Sequence, residues 1–114
     1  MAGLGRVYND NYRFKMTNEI NKERLEKAAY ILKAVAHPLR LAVIELLRNR
    51  ERMAVNEICE AIDCEQSLMS HHLITLKLRG ILGSTRGGLN VYYWLKERDV
   101  TKLISCIENC ECNM

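Results

Sequence analysis

Residues 66 to 82 read QSLMSHHLITLKLRGIL, and this stretch decides the fold. With successive residues about 100° apart, Met69, Leu73 and Leu76 share one narrow face with Gly80, where the glycine ends a helix. A solvated face would favour Glu and Lys throughout, whereas the opposite face holds mostly short polar side chains and one cation: Gln66, Ser67, Ser70, His71, Ile74 and Lys77. Short polar side chains of this kind can reach base edges when a helix lies in the major groove of DNA. The stretch therefore predicts a helix over residues 66 to 79 that packs on one side and reads DNA on the other.

The flanking segments complete a helix-turn-helix and a wing. Residues 55 to 62 (VNEICEAI) have apolar residues at helical spacing, and three residues separate this short helix from the next. A helix, a tight turn and a second helix with a polar outer face form a helix-turn-helix, in which the second helix reads DNA. Residues 82 to 86 and 90 to 95 are β-rich runs around Gly87 and Gly88. They predict a hairpin with Arg86 at its tip.

In order and spacing, these segments resemble the ArsR/SmtB family of small dimeric winged-helix bacterial repressors. The matching pieces are LKAVAHPLRLAVIELL at 32 to 47, the two segments at 55 to 82, and VYYWL at 91 to 95. The resemblance implies a mainly α fold, with five helices and a small β-hairpin between the fourth and fifth. It also implies a homodimer formed through the first and last helices, which binds a palindromic operator in double-stranded DNA through the helix 66 to 79 and the wing 82 to 95.

The remaining helices follow from apolar stripes. A first helix is expected from about residue 18 to 35, capped by Thr17 or Asn18, with the inward stripe Leu25, Ala28, Ala29, Leu32, Val35 and Ala36. His37 and Pro38 interrupt the pattern, and residues 39 to 48 form the second helix, whose inward residues are Leu39, Ala42, Val43, Leu46 and Leu47. A last helix starts near Asp99, with the stripe Val100, Leu103, Ile104 and Ile107.

Length and composition fit one domain in a cytoplasmic protein. The 114 residues are 48% hydrophobic and 27% charged, and the net charge of +3 alone does not establish DNA binding. No apolar run approaches the roughly 18 residues of a membrane span, and five cysteines, an odd number, do not suggest a secreted disulfide framework. We expect an N-terminal arm over 1 to 16, a winged helix-turn-helix domain over 17 to 110, and a tail over 111 to 114.

Several residues are candidates for DNA contact. Gln66, Ser67, Ser70 and His71 lie at the start of the reading helix, where base contacts are made, while His72 points toward the second or third helix. Phosphate contacts are expected from Lys77, Arg79 and Arg86. For Arg40, bridging between helices and phosphate contact are equally good interpretations. His37 is more consistent with a structural hydrogen bond than with a metal ligand.

Cysteines near the C-terminus suggest regulation. The third-helix metal site of the resembled family is absent, because Ala54, Val55 and Asn56 stand where its cysteines would be. The last-helix zinc site would fall on Glu97, Asp99, Cys110 and Asn113, which is a poor ligand set. Cys106 and Cys110 are four residues apart on one helix flank, and Cys112 follows. Three interpretations stay open: a thiophilic metal site for Zn(II), Cd(II), Cu(I) or As(III), a disulfide or persulfide switch, and no regulatory role.

Two other functional classes need to be distinguished from a repressor. In a winged-helix protein-interaction module, the polar helix would dock a partner protein and would not bind DNA. An enzyme is disfavoured, because the sequence has no phosphate-binding glycine loop, no H-E-x-x-H and no G-x-S-x-G.

Overall fold

A computed structural model of the chain describes residues 20 to 111, so the expected arm over residues 1 to 16 and Cys112 lie outside the described residues. Within these residues, five helices and three short strands follow one another as α1 Lys22–Val35, α2 Pro38–Leu47, β1 Met53–Ala54, α3 Val55–Ile62, α4 Gln66–Leu78, β2 Leu82–Gly87, β3 Asn90–Leu95 and α5 Asp99–Glu108. This is the predicted helical fold with a hairpin before the last helix.

Side-chain caps set where the first two helices begin. The Asn21 side chain accepts a hydrogen bond from the Arg24 backbone N–H at 3.1 Å, so α1 begins at Lys22. The prediction of a start near residue 18 is therefore wrong by about one helical turn, and Thr17 and Asn18 lie outside the described residues. His37 caps α2 in the same way, since its Nδ1 accepts from the Leu39 N–H at 3.0 Å and Pro38 occupies the first helical position. The structural role expected for His37 is thus confirmed.

The sheet has one strand more than predicted. The strands lie in the order β1-β3-β2, and all pairs are antiparallel. Strand β1 contains two residues, with Met53 opposite Tyr93, which is too few for an alternating pattern to be visible in the sequence. At the hairpin tip Gly88 has φ +64°, a backbone conformation that the first position of a tight two-residue loop requires.

The core lies between the helix-turn-helix, α2 and the base of the sheet. Met69, Leu73 and Leu76 of α4 are fully buried, as predicted, and pack with Ile44 and Leu47 of α2. The predicted stripe of α1 is buried only near its end, at Val35 and its neighbour Ala34. Within one chain, large apolar side chains remain exposed on both terminal helices: Leu25, Leu32 and Ile107.

Helix α5 ends earlier than the cysteine spacing suggested. Its last residue is Glu108. Cys110 lies beyond the helix end, and its N–H donates to the Ile107 carbonyl. Cys106 therefore lies in the last turn and Cys110 outside the helix, so the prediction that they stack on one helix flank is wrong. Among residues 20 to 111, no helix is long and apolar enough to cross a membrane.

Candidate nucleic-acid interface

The outer face of α4 is open to solvent along its length. Gln66, Ser67, His71 and Lys77 are exposed and Ser70 is half-buried, as the wheel predicts. The Ser67 hydroxyl donates to Glu65 Oε1 at 2.6 Å, which holds the side chain at the start of the helix. Ile74 is 50% exposed on the same face and offers an apolar surface that suits a thymine methyl group.

The wing forms the second wall of this surface. A concavity between α4 and the wing is lined by Gln66, Ser70 and Ile74 on one side and by Leu89 and Asn90 on the other. Arg86 pairs with Val91 near the hairpin tip and is exposed, and Leu89 is 99% exposed. Leu89 was not among the predicted contact residues, although an apolar residue beside two glycines at a hairpin tip is a visible signal.

Arg40 joins three helices from the inside. Its Nε donates to His72 Nδ1 of α4 at 3.0 Å, and its Nη1 donates to the Ala34 carbonyl of α1, also at 3.0 Å. The guanidinium fork is therefore occupied by protein groups, and of the two roles open for Arg40 these contacts favour bridging. Sequence alone did not find the partner, because 32 residues separate Arg40 from His72.

His72 is the only buried polar side chain among residues 20 to 111 and is 6% exposed. Its Nδ1 accepts from Arg40, so the ring is a neutral imidazole with its proton on Nε2. Burial lowers the pKa of His72, and the neighbouring His37, Arg40 and His71 lower it further. The rings of His37 and His72 lie 4.4 Å apart between centroids. The prediction that His72 packs inward is confirmed.

Two further arginines stack on aromatic rings. The Arg79 guanidinium lies 5.2 Å from the centre of the Tyr30 ring of α1, a contact that favours packing over the phosphate role expected from sequence. Arg52 lies 4.5 Å from the Tyr92 ring at the base of the wing. Nothing in the sequence around Arg52 identifies β3 as its neighbour.

The described cysteines near the C-terminus are accessible but do not form a cluster. Cys106 and Cys110 are exposed, and Asp99 forms an exposed ion pair with Lys102 at 3.5 Å. Within the described part of a single chain, no three His, Cys, Asp or Glu side chains are grouped closely enough to hold a metal ion. Asp99 instead lines a groove with Glu97 between α5 and α1.

Comparisons with known proteins agree with this geometry. The model of the arsR family of bacterial regulatory proteins matches residues 37 to 83. The chain is 34% identical over 86 residues to the uncharacterised HTH-type transcriptional regulator MJ1325 of Methanocaldococcus jannaschii, and the match covers 75% of this chain and 97% of that protein.

Two solved structures are similar over most of the chain. The transcriptional repressor BigR of Xylella fastidiosa aligns with a TM-score of 0.73 at 27% identity and covers 87% of this chain and 100% of that one. The homodimeric winged helix-turn-helix DNA-binding domain Mb0332 of Mycobacterium bovis aligns with a TM-score of 0.65 at 27% identity and covers 82% of this chain and 88% of that one.

Proposed function

We propose that this chain, which belongs to the arsR family of bacterial regulatory proteins, represses transcription as a homodimer bound to a palindromic operator. Like its relatives, it is a winged-helix, DNA-binding transcriptional regulator and not an enzyme. Repression, a palindromic operator and a cytoplasmic location are all proposed. The observation that carries it is the exposed polar face of α4, whose opposite face is fully buried.

The proposed contacts are of two kinds: contacts that read the bases, and contacts with phosphates that position the protein on the DNA. At the start of α4, Gln66 can bond to adenine in bidentate fashion, and Ser67, Ser70 and His71 can serve several bases. Lys77 and Arg86 are exposed cations at the edges of this surface. We assign them to phosphates, where they set affinity and salt dependence but not sequence preference. The contacts of Arg40 and Arg79 with other helices support packing roles for these two residues.

The homodimer is inferred from the exposed apolar side chains of α1 and α5. Leu25 and Leu32 are 49% and 45% exposed in one chain, which is costly unless another surface covers them. The groove beside them is formed by α1 and α5 together, so both helices belong to one candidate interface. The homodimeric state of the similar Mb0332 domain supports the same arrangement. A two-fold dimer would place its two α4 helices in major grooves about 34 Å apart.

Regulation through the C-terminal cysteines remains part of the proposal. The exposed thiols of Cys106 and Cys110, with Cys112 and Asp99 nearby in sequence, are available to an oxidant or to a thiophilic metal from either protomer. Comparing DNA affinity for reduced, oxidised, Zn(II)-treated and Cu(I)-treated protein separates these possibilities. Equal affinity in all four states would contradict both.

The test of the proposed function is fluorescence anisotropy with a duplex from upstream of the protein's own gene. We expect salt-dependent binding, and Gln66→Ala should weaken it by about tenfold or more, since one bidentate base contact contributes about 1–3 kcal/mol. Glu23→Ala, an exposed change on α1, is the matched control and should bind normally. No binding at low salt would instead favour the protein-interaction module.

A further inference from the structure

Two cysteines away from the C-terminus meet at the turn of the helix-turn-helix. Cys59 lies in the last turn of α3, and Cys64 follows Asp63, which ends that helix in the left-handed conformation with φ 57°. The Cys64 N–H donates to the Cys59 carbonyl at 3.2 Å. The Asp63 N–H bonds to the same carbonyl. The bond from the second residue past the helix end to a carbonyl five residues earlier is the long bond of a Schellman motif.

This motif brings the two side chains together. The residues that its long bond joins commonly contact each other through their side chains, and here both are cysteines. With standard bond lengths, an N–O distance of 3.2 Å keeps the two Cα atoms within about 7 Å of each other. Disulfides form across Cα separations of about 4.4–6.8 Å, so this backbone geometry is compatible with a bridge.

Both thiols are half-buried, so neither is sealed in the core. Burial raises the pKa of the Cys59 thiol, and the neighbouring Cys64 raises it further. The Cys64 thiol donates to the Glu65 carbonyl at 3.5 Å, next to the first residue of α4. Cys64 therefore contacts the start of α4, and the raised pKa of Cys59 makes Cys64 the better first nucleophile of the two.

We propose that Cys59 and Cys64 are a redox site that closes to an intramolecular disulfide by exchange with a low-molecular-weight disulfide. The Cys64 thiolate attacks one sulfur of the reagent, whose S–S bond breaks and releases a thiolate. The Cys59 thiolate then attacks the Cys64 sulfur and displaces the second thiolate. The two cysteines lose two electrons and two protons, and the reagent becomes two thiols.

The bridge changes the start of the reading helix. An S–S bond of about 2.05 Å is shorter than any non-bonded contact of two sulfurs, so closure pulls Cys64 toward α3. It also removes the thiol hydrogen that Cys64 donates to Glu65. Gln66 and Ser67 directly follow this segment, so a shift of Cys64 misaligns their contacts with the bases. We therefore expect oxidation to lower DNA affinity by about tenfold, the loss of about one bidentate base contact. This consequence rests on the proposed function, whereas disulfide formation does not.

The test uses the full chain with Cys106, Cys110 and Cys112 replaced by Ser, so that only the pair remains. After incubation with glutathione disulfide and removal of the reagent, the protein is digested with a protease that cleaves after Glu. Cleavage after Glu60 separates Cys59 from Cys64, so the two peptides stay joined only through a disulfide. We expect joined peptides, weaker binding to the operator duplex, and recovery of both measurements with dithiothreitol.

Single variants of the same protein are the matched controls. Cys59→Ala and Cys64→Ala should each retain DNA binding after treatment and carry at most one glutathione adduct. Two glutathione adducts on the pair, or two unmodified thiols, would overturn the proposed site. Joined peptides with unchanged DNA affinity would overturn its regulatory role. If the reduced protein fails to bind DNA, the proposed function is wrong, and the peptide measurement alone still decides whether the site exists.

Discussion

A single buried histidine links the reading helix to the helices behind it. His72 is hydrogen-bonded by Arg40, which also holds the end of α1 through the Ala34 carbonyl. The groups that face the imidazole are His37, Arg40 and His71, and none of them is an acid. A proton on Nδ1 would replace the Arg40 hydrogen bond with a repulsive contact between two cations.

This arrangement predicts a stability that depends on pH. The folded-state pKa of His72 lies below its unfolded value near 6.5, so the unfolded chain binds more protons at and below that pH. Stability should be fully present above pH 6.5 and should fall as the pH drops from 6.5 to the lower folded-state pKa. Urea denaturation across this range measures the effect.

His72→Asn isolates the contribution of His72, because an amide oxygen can accept from Arg40 without titrating. We expect this variant to show a smaller loss of unfolding free energy on acidification than the original protein. His71→Asn, at an exposed position, should keep most of the pH dependence, because His71 is the smallest of the causes that lower the pKa of His72. Identical pH profiles for the original protein and His72→Asn would contradict the role of His72.

At the scale of the elements, the wing depends on a close contact between its two strands. Gly83 is opposite Trp94, and a Cβ at Gly83 would overlap the indole ring. Gly83→Ala should therefore displace Trp94 and lower the free energy of unfolding by about 1–3 kcal/mol, the usual cost of overpacking. Tryptophan fluorescence reports the displacement directly, since the chain has one Trp.

Ser84→Ala on the same strand is the matched control for Gly83→Ala. Ser84 is half-buried opposite Tyr93, and its replacement adds no atoms. We expect an emission spectrum and a stability close to those of the original protein. A Gly83→Ala variant that also matches the original in both measurements would contradict the close contact between Gly83 and Trp94.

Local patterns were sufficient to predict most elements but not their long-range contacts. Helix α4, its buried face and the hairpin were predictable because the apolar periodicity and the glycines that indicate them lie close together in the sequence. The pairing of Arg40 with His72 depends on how α2 packs against α4, which no local pattern encodes. The end of α5 was missed because its terminal turn carries no proline or glycine stop signal. The backbone hydrogen bond between Cys64 and Cys59 depends on the left-handed conformation of Asp63, which no local pattern in the sequence predicted.

At the scale of the whole molecule, the proposed dimer can be broken without touching the DNA-binding surface. Leu32→Glu places a charge in the exposed apolar groove of α1 and α5, where a partner chain would have to bury it. We expect a monomer in analytical ultracentrifugation and weaker operator binding, because the two half-sites would no longer be bound together.

Leu89→Glu is the control for Leu32→Glu, because Leu89 is the more exposed leucine and lies at the wing tip. It should remain dimeric, whatever its effect on DNA. A dimeric Leu32→Glu variant, or an original protein that is already monomeric at micromolar concentration, would rule out this interface.

The central claim is that two copies of α4 enter successive major grooves on one face of the operator. Methylation protection at guanine N7 tests it most directly, because that atom lies in the major groove. The account predicts two protected patches whose centres are about 34 Å apart and related by the symmetry of the site. At a protein concentration equal to the Kd of the original complex, Gln66→Ala should weaken both patches together. A single patch, or protection unchanged by Gln66→Ala, would contradict the account.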